Sequence, residues 1–133
     1  MKKIIIIFLI FASFTLLTTF NAYSSENEIT FSEPVIITSI GQSPDSQMAR
    51  ALAARINLEH DYNELIKGGD LGEKYKTIIM VVGGSSKGLG AAGIDEEEEL
   101  KRAKKLLGVV NENEIKLLGM HLGGETRRGE VSD

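Results

Sequence analysis

The sequence predicts an α/β fold built on an open, doubly wound parallel sheet, and three observations carry that expectation. The runs Val35–Ile40 and Thr77–Val82 are unbroken, apolar and mostly β-branched, as in strands buried on both faces of a parallel sheet. Each is followed by chemistry that starts a helix, as parallel strands require crossover connections. The second run leads directly into Gly83, Gly84, Gly88, Gly90 and Gly93. A glycine-rich turn between a buried strand and a helix lies at the carboxyl edge of the sheet, where open α/β folds bind ligands.

The N-terminus reads as a targeting segment. Lys2 and Lys3 form a basic region, Ile4–Phe20 an apolar one, and Ala22 and Ser24 occupy the small-residue positions of a signal-peptidase site, so cleavage is expected after Ser24. The competing account is an uncleaved membrane anchor. The run is short for a span of about 20 residues and is diluted by Ser13, Thr15, Thr18 and Thr19, which favours cleavage and export. The expected organisation is a signal peptide over 1–24, a polar linker over 25–34 and one α/β domain over 35–133. The chain has no cysteine, which removes a lipid anchor, disulfides, thiolate ligands and thiol nucleophiles. Its net charge of −4 becomes more negative once the two N-terminal lysines leave, and this argues against nucleic acid or an anionic membrane as partner. No cofactor and no metal are expected.

Along the domain, Val35–Ile40 is the first core strand. Ser43 is a natural N-cap, Pro44 suits the first helical position and Asp45 favours the first turn. The helix that follows is expected to run to about Asn57 with Met48, Leu52 and Ile56 as its buried stripe. Leu58–Lys76 is less legible: Tyr62 and Leu65-Ile66 suit a short edge strand or a helical turn, and Gly68–Gly72 is loop by composition. After the central strand and its glycine loop, Asp95 caps a second helix. Glu96–Glu99 complement its N-terminal dipole, which is a better account of four glutamates than a cation site. Glu97–Lys101 and Glu98–Arg102 are spaced as i,i+4 pairs, and Leu100, Ala103, Leu106 and Leu107 form the expected buried face. Gly108 is a plausible C-cap, with the helix extending at most to Val110. Ile115–Leu122 reads as the third core strand. Two helices are too few for three or four strands, so the C-terminus is expected to be incomplete, or one sheet face to be covered by another copy in a homodimer.

Three catalytic signatures overlap in the glycine loop. Gly88–Gly93 matches G-x-G-x-x-G, Gly84–Gly90 resembles the cofactor turn of short-chain dehydrogenases, and Gly84–Gly88 matches G-x-S-x-G with Ser86 as nucleophile. A dinucleotide needs a helix that begins inside the glycines, whereas the best cap, Asp95, lies beyond them and is followed by four glutamates. No acidic residue ends the next strand, and Lys67 falls five positions after Tyr62 rather than four. A serine hydrolase would use Ser86 with His121, but the loop residues between Ser86 and the Asp95 cap deny Ser86 the tight strand–turn–helix geometry. Lys87 could serve as a base only if buried; a solvated charge or an anion contact is the commoner role. His121, at a strand end, is as readily a packed residue as a functional one.

What remains is a convergence. The loops after the three strands emerge on one edge and carry Ser43, Ser46, Gly84, Ser85, Ser86, Lys87, Gly88, His121, Arg127 and Arg128 to one rim. Hydroxyls, backbone amides and a local basic cluster suit a small polar or anionic ligand. The competing account is that the glycines serve tight turns and Arg127 and Arg128 belong to a frayed tail.

The segments VGGSSKGLGAAGID and GMHLGGETRRGEVSD resemble those of a family of small exported bacterial α/β proteins known only as a domain of unknown function, with the likeness covering Val35–Asp133. The resemblance implies export, a three-layer flavodoxin-like or Rossmann-like domain, and a further strand and helix beyond the end of this chain. It brings no activity and no catalytic residue. The expected function is ligand binding at the carboxyl edge; the rivals are an exported hydrolase using Ser86 and His121, and a protein-interaction module or truncated relic.

Overall fold

The computed structural model describes residues 29–124. The expected signal peptide, the first part of the linker, and Arg127 and Arg128 lie outside the described residues. Strands β1 (Val35–Ile40), β2 (His60–Tyr62), β3 (Thr77–Val82) and β4 (Lys116–Met120) form one all-parallel sheet in the order β2-β1-β3-β4. Helices α1 (Asp45–Arg55), α2 (Gly68–Leu71), α3 (Ser86–Ala92) and α4 (Glu96–Glu112) connect them. Right-handed crossovers dictate the layers. The step from β1 to β2 runs one way along the sheet, and those from β2 to β3 and β3 to β4 run the other. So α1 covers one face, and α2 and α4 the opposite one.

The core confirms this division. Ile36, Ile78 and Met80 pack with Leu71 of α2 and Leu106 and Val110 of α4, while Val35, Ile37, Ile79 and Val81 pack with Ala49 and Ala53 of α1. Alternate residues of each central strand therefore feed opposite layers, which is why both runs are continuously apolar. β1 and β3 pair along their full length, from Val35–Thr77 to Ile40–Val82. Below the strands, Ser32 N–H donates to Thr77 Oγ1 and Lys76 N–H donates to Pro34 O at 3.0 Å.

Several expectations are corrected. The stripe Met48, Leu52 and Ile56 is exposed rather than buried, and α1 ends at Arg55. Two alanines one turn apart face the sheet instead, because short side chains let the helix approach bulky Ile and Val. Helix α1 begins at Asp45, one residue later than expected, although Ser43 Oγ still accepts the Asp45 N–H at 3.0 Å. Gly68–Leu71 is a helical turn rather than loop: Gly68 abuts α4, where an added Cβ would lie 2.8 Å from Val109 Cγ2. The glycine loop is also largely helical, because Ser85 caps α3 by accepting the Gly88 N–H at 3.0 Å. The domain thus has four helices among the described residues, not two.

Asp95 caps α4 as expected, in a reciprocal pair with Glu98. The helix continues to Glu112, past Gly108 and Val110. Its buried face is Glu99, Ala103, Leu106 and Val110, whereas Leu100 and Leu107 are exposed. Arg102 bonds Glu99 rather than Glu98, since only Glu99 turns inward with it. β4 is an edge strand among the described residues, with Leu117 43% exposed, rather than a third core strand.

Candidate functional site

The strand order reverses between β1 and β3, so the connections that leave their carboxyl ends diverge to opposite faces. Such a switch point is where doubly wound sheets form a crevice. Here the two connections are stitched together at its floor. Gln42 and Gly84 form an antiparallel bridge, Ser43 N–H donates to Gly83 O at 3.1 Å, and Ser85 N–H donates to Gly41 O at 2.8 Å. Glycines permit this approach. Gly41 sits at φ 90°, and a Cβ there would come 2.6 Å from Gly83 O. A Cβ on Gly88 would come 2.0 Å from Gln42 O. These glycines therefore bring chain to chain. The amides of Ser43, Gly83, Ser85 and Gly88 already have protein acceptors and are not free for a ligand.

A buried network behind the floor fixes it. Glu99 Oε1 accepts from Gly41 N–H at 2.7 Å and from Gln42 Nε2 at 3.2 Å, and pairs with Arg102 at 2.7 Å. Arg102 also donates to Ser39 O and Ile66 O. Burial alone would push the Glu99 carboxyl up, but Arg102, the Gly41 amide and Gln42 outweigh it and hold the group below its ordinary 4.5. The network also sustains Gln42 at φ 59°, a left-handed conformation that costs on the order of 1–3 kcal/mol for a non-glycine residue.

Above the floor is a cleft of about 430 Å³. Gln42, Ser43, Pro44 and Gln47 line it from the β1–α1 side, Glu64 and Leu65 from the segment after β2, and Ser85, Lys87, Gly88, Ala91 and Ala92 from α3 and its cap. The hydroxyls of Ser43 and Ser85 accept backbone N–H groups and keep their own protons to donate. Glu64 Oε1 accepts from Tyr62 Oη at 2.5 Å and from Gln47 Nε2 at 3.1 Å. Burial and the neighbouring Glu64 carboxylate push the Tyr62 phenol up to about 12, so it stays a donor. Arg50 stacks over the Tyr62 ring, 5.0 Å from its centroid. One carboxylate and one ammonium, Glu64 and the exposed Lys87, are the only charged side chains lining the cleft among the described residues.

The cleft thus gathers Ser43, Ser85, Lys87 and Gly88 from the expected set. Gly84 belongs to the stitched floor. Ser46 is buried, its Oγ 3.0 Å from Tyr62 Oη. Ser86 lines a separate groove of about 470 Å³ with Asp95, Glu96 and Glu97. His121 turns both ring nitrogens to carbonyl oxygens, Val82 O at 2.9 Å and Gly124 O at 3.3 Å. Arg127 lies outside the described residues. Glu64, Gln47 and Tyr62 escaped the sequence reading because they fall in the least periodic part of the chain; the pair Tyr62-x-Glu64 after a short β run was the available signal.

A helix does begin inside the glycines, which removes one objection to the dinucleotide and hydrolase signatures. Neither gains a site from it. Gly88 faces Gln42, and Ser86 lacks the left-handed strain of a nucleophile elbow, since among the described residues Gln42, Asn57 and Glu114 are the non-glycine residues with positive φ.

Fold and site together define a doubly wound, three-layer α/β domain with a polar cleft at its switch point. The chain belongs to the family described as Domain of unknown function (DUF6305), which it matches over residues 32–133. No curated protein and no solved structure matches it.

Proposed function

We infer that this protein is an exported binding domain whose small polar ligand sits in the switch-point cleft. The observation that carries the reading is that one carboxylate, Glu64, and one ammonium, Lys87, line the same hollow as the hydroxyl-bearing Ser43 and Ser85. A ligand with an anionic group for Lys87 and a cationic or hydroxyl group for Glu64 suits it better than a plain anion, which Glu64 would repel. Export rests on the Lys2-Lys3 start, the apolar Ile4–Phe20 run and the small residues at Ala22 and Ser24. Hydrolysis by Ser86 and His121 is disfavoured, because the serine faces an acidic groove and the histidine faces backbone carbonyls.

Thermal unfolding with a panel of amino acids, sugars and monocarboxylates tests the reading. A ligand at 100 times its dissociation constant adds about 2.7 kcal/mol. Lys87→Ala and Glu64→Gln should each abolish the shift while leaving the unliganded midpoint within a few degrees. A shift that survives both substitutions would place the ligand elsewhere.

A second reading, an interface with another copy of the chain, is favoured by the exposed stripe Met48, Leu52 and Ile56 on α1. Sedimentation should then report a dimer that Leu52→Glu dissociates, and a wild-type monomer would reject it.

A further inference from the structure

On the opposite side of Leu65 lies a second hollow, of about 540 Å³, between α4 and the segment leading into α2. Its walls carry Lys67, Lys101, Arg102 and Lys105, with Leu65 and Ile94 as apolar patches and Glu98 as the one carboxylate. Such a concentration of positive charge is unexpected on a chain of net charge −4.

We propose that this hollow, distinct from the switch-point cleft, is a binding site for a small multivalent anion held by Lys67, Lys101 and Lys105. Among the described residues the ion pairs are Lys74–Asp61 and Arg102–Glu99, so none of these three ammonium groups is paired with a carboxylate, although the Lys67 backbone N–H donates to Asp70 Oδ2 at 3.3 Å. Lys101 and Lys105 are one helical turn apart on the same face, a spacing at which like charges destabilise a helix. Lys101 does not take the Glu97 partner that its sequence spacing offers. Lys67 is added to the pair by the fold: Gly68 sits so close to α4 that a Cβ on it would lie 3.4 Å from Lys105 O, which draws the α2 entry and its lysine onto the same concavity. Glu98 is committed to the α4 cap, where its Oε2 accepts the Asp95 N–H at 3.1 Å. The Arg102 charge is balanced by Glu99 at 2.7 Å. Three ammonium groups against one carboxylate leave a surplus of two positive charges around the hollow.

The chemistry of the donors sets the ligand class. The Arg102 Nε, Nη1 and Nη2 are all bonded to Glu99, Ile66 O and Ser39 O, so no free guanidinium fork remains to select a planar carboxylate. Ammonium groups on flexible stems act as point charges and respond to total charge more than to shape. The site therefore takes a di- or trianion, as a phosphate ester or a polycarboxylate, and discriminates against monoanions.

The test is thermal unfolding of the full chain in inorganic pyrophosphate, citrate and acetate, each at one ionic strength set with sodium chloride. Pyrophosphate or citrate should raise the midpoint by several degrees, acetate should not, and the larger of the two shifts names the ligand's acid group. Lys101→Gln/Lys105→Gln should weaken the bound anion by about tenfold or more. Its midpoint without anion should be equal to or above wild type, since a like-charge repulsion is removed from two exposed positions. Lys87→Gln, in the other cleft, should leave the anion response intact. No anion-specific shift, an equal shift with acetate, or a shift that persists in the double variant would overturn the proposal. A shift lost only in Lys87→Gln would move the anion to the switch-point cleft and also overturn it.

Discussion

Gly88 and Gly90 are two glycines in one seven-residue helix, and the structure predicts opposite outcomes when each becomes alanine. At Gly90 an added Cβ meets nothing within 4 Å, so Gly90→Ala should gain the ordinary helix-propensity difference of about 0.5–1 kcal/mol. At Gly88 the same methyl would lie 2.0 Å from Gln42 O and 3.0 Å from Gln42 C. Those are backbone atoms pinned by the Gln42–Gly84 bridge and by the Gln42 side chain on Glu99, so they cannot rotate aside. Either α3 moves off by more than an ångström or the bridge opens. Overpacking of this kind costs about 1–3 kcal/mol, enough to outweigh the propensity gain. In a domain of this size each kcal/mol moves the thermal midpoint by about 4–8 °C. Paired thermal and urea unfolding of the two variants should show Gly90→Ala above wild type and Gly88→Ala well below it. If Gly88→Ala were as stable as Gly90→Ala, α3 would not rest against Gln42 and would not form that wall of the cleft.

Glu99→Gln should cost about 3–5 kcal/mol, because it leaves the Arg102 charge buried without its anion. Since the Glu99 carboxyl is held below 4.5 in the fold, its stabilisation is present above that pH and is lost as pH falls through the lower folded value. Acid unfolding curves should therefore be flatter in the variant below pH 4.5, and parallel curves would refute the role assigned to the pair. Ultraviolet titration should find one phenol that ionises only near pH 12, and Tyr62→Phe should remove it. Because folding raises that group from 10.0, its contribution is complete below pH 10.0 and is lost as pH rises towards 12. An ordinary titration in the wild type would dismiss the Tyr62–Glu64 contact.

The sheet was legible because Val35–Ile40 and Thr77–Val82 announce strands buried on both faces, and the Asp95 cap was legible because its chemistry is local. Helix faces were not. Met48, Leu52 and Ile56 make a better apolar stripe by pattern than Ala49 and Ala53, yet contact distance to a sheet of β-branched residues selects small side chains over hydrophobic ones. The same competition put Leu100 outside and Glu99 inside, where a guanidinium and two donors from the β1 end compensate its burial. The glycines of α3 read as loop because isolated propensity counts against them, whereas their value lies in the close approach to Gln42. Half of the cleft was foreseeable from Ser43, Ser85 and Lys87. Its acidic wall was not, because Tyr62 and Glu64 are placed by the edge strand β2, which is three residues long and has no period to detect.

The stitched floor has a consequence for how any ligand would enter. With β1 and β3 cross-linked at their carboxyl ends by the Gln42–Gly84 bridge and the Ser43 and Ser85 amides, that side of the hollow loses its conformational freedom during folding, not at binding. The opposite side is held by other means: Glu64 O accepts from Thr38 Oγ1 and Gln42 Nε2, and the Glu64 carboxylate accepts from Tyr62 and Gln47. Both jaws are therefore set before a ligand arrives, one by backbone bonds and the other by side chains reaching a carbonyl and a carboxylate. Amide exchange should show slow protons at Ser43 and Ser85, whose acceptors lie across the bridge, and at Asn63, which donates to Ile37 O at 3.1 Å.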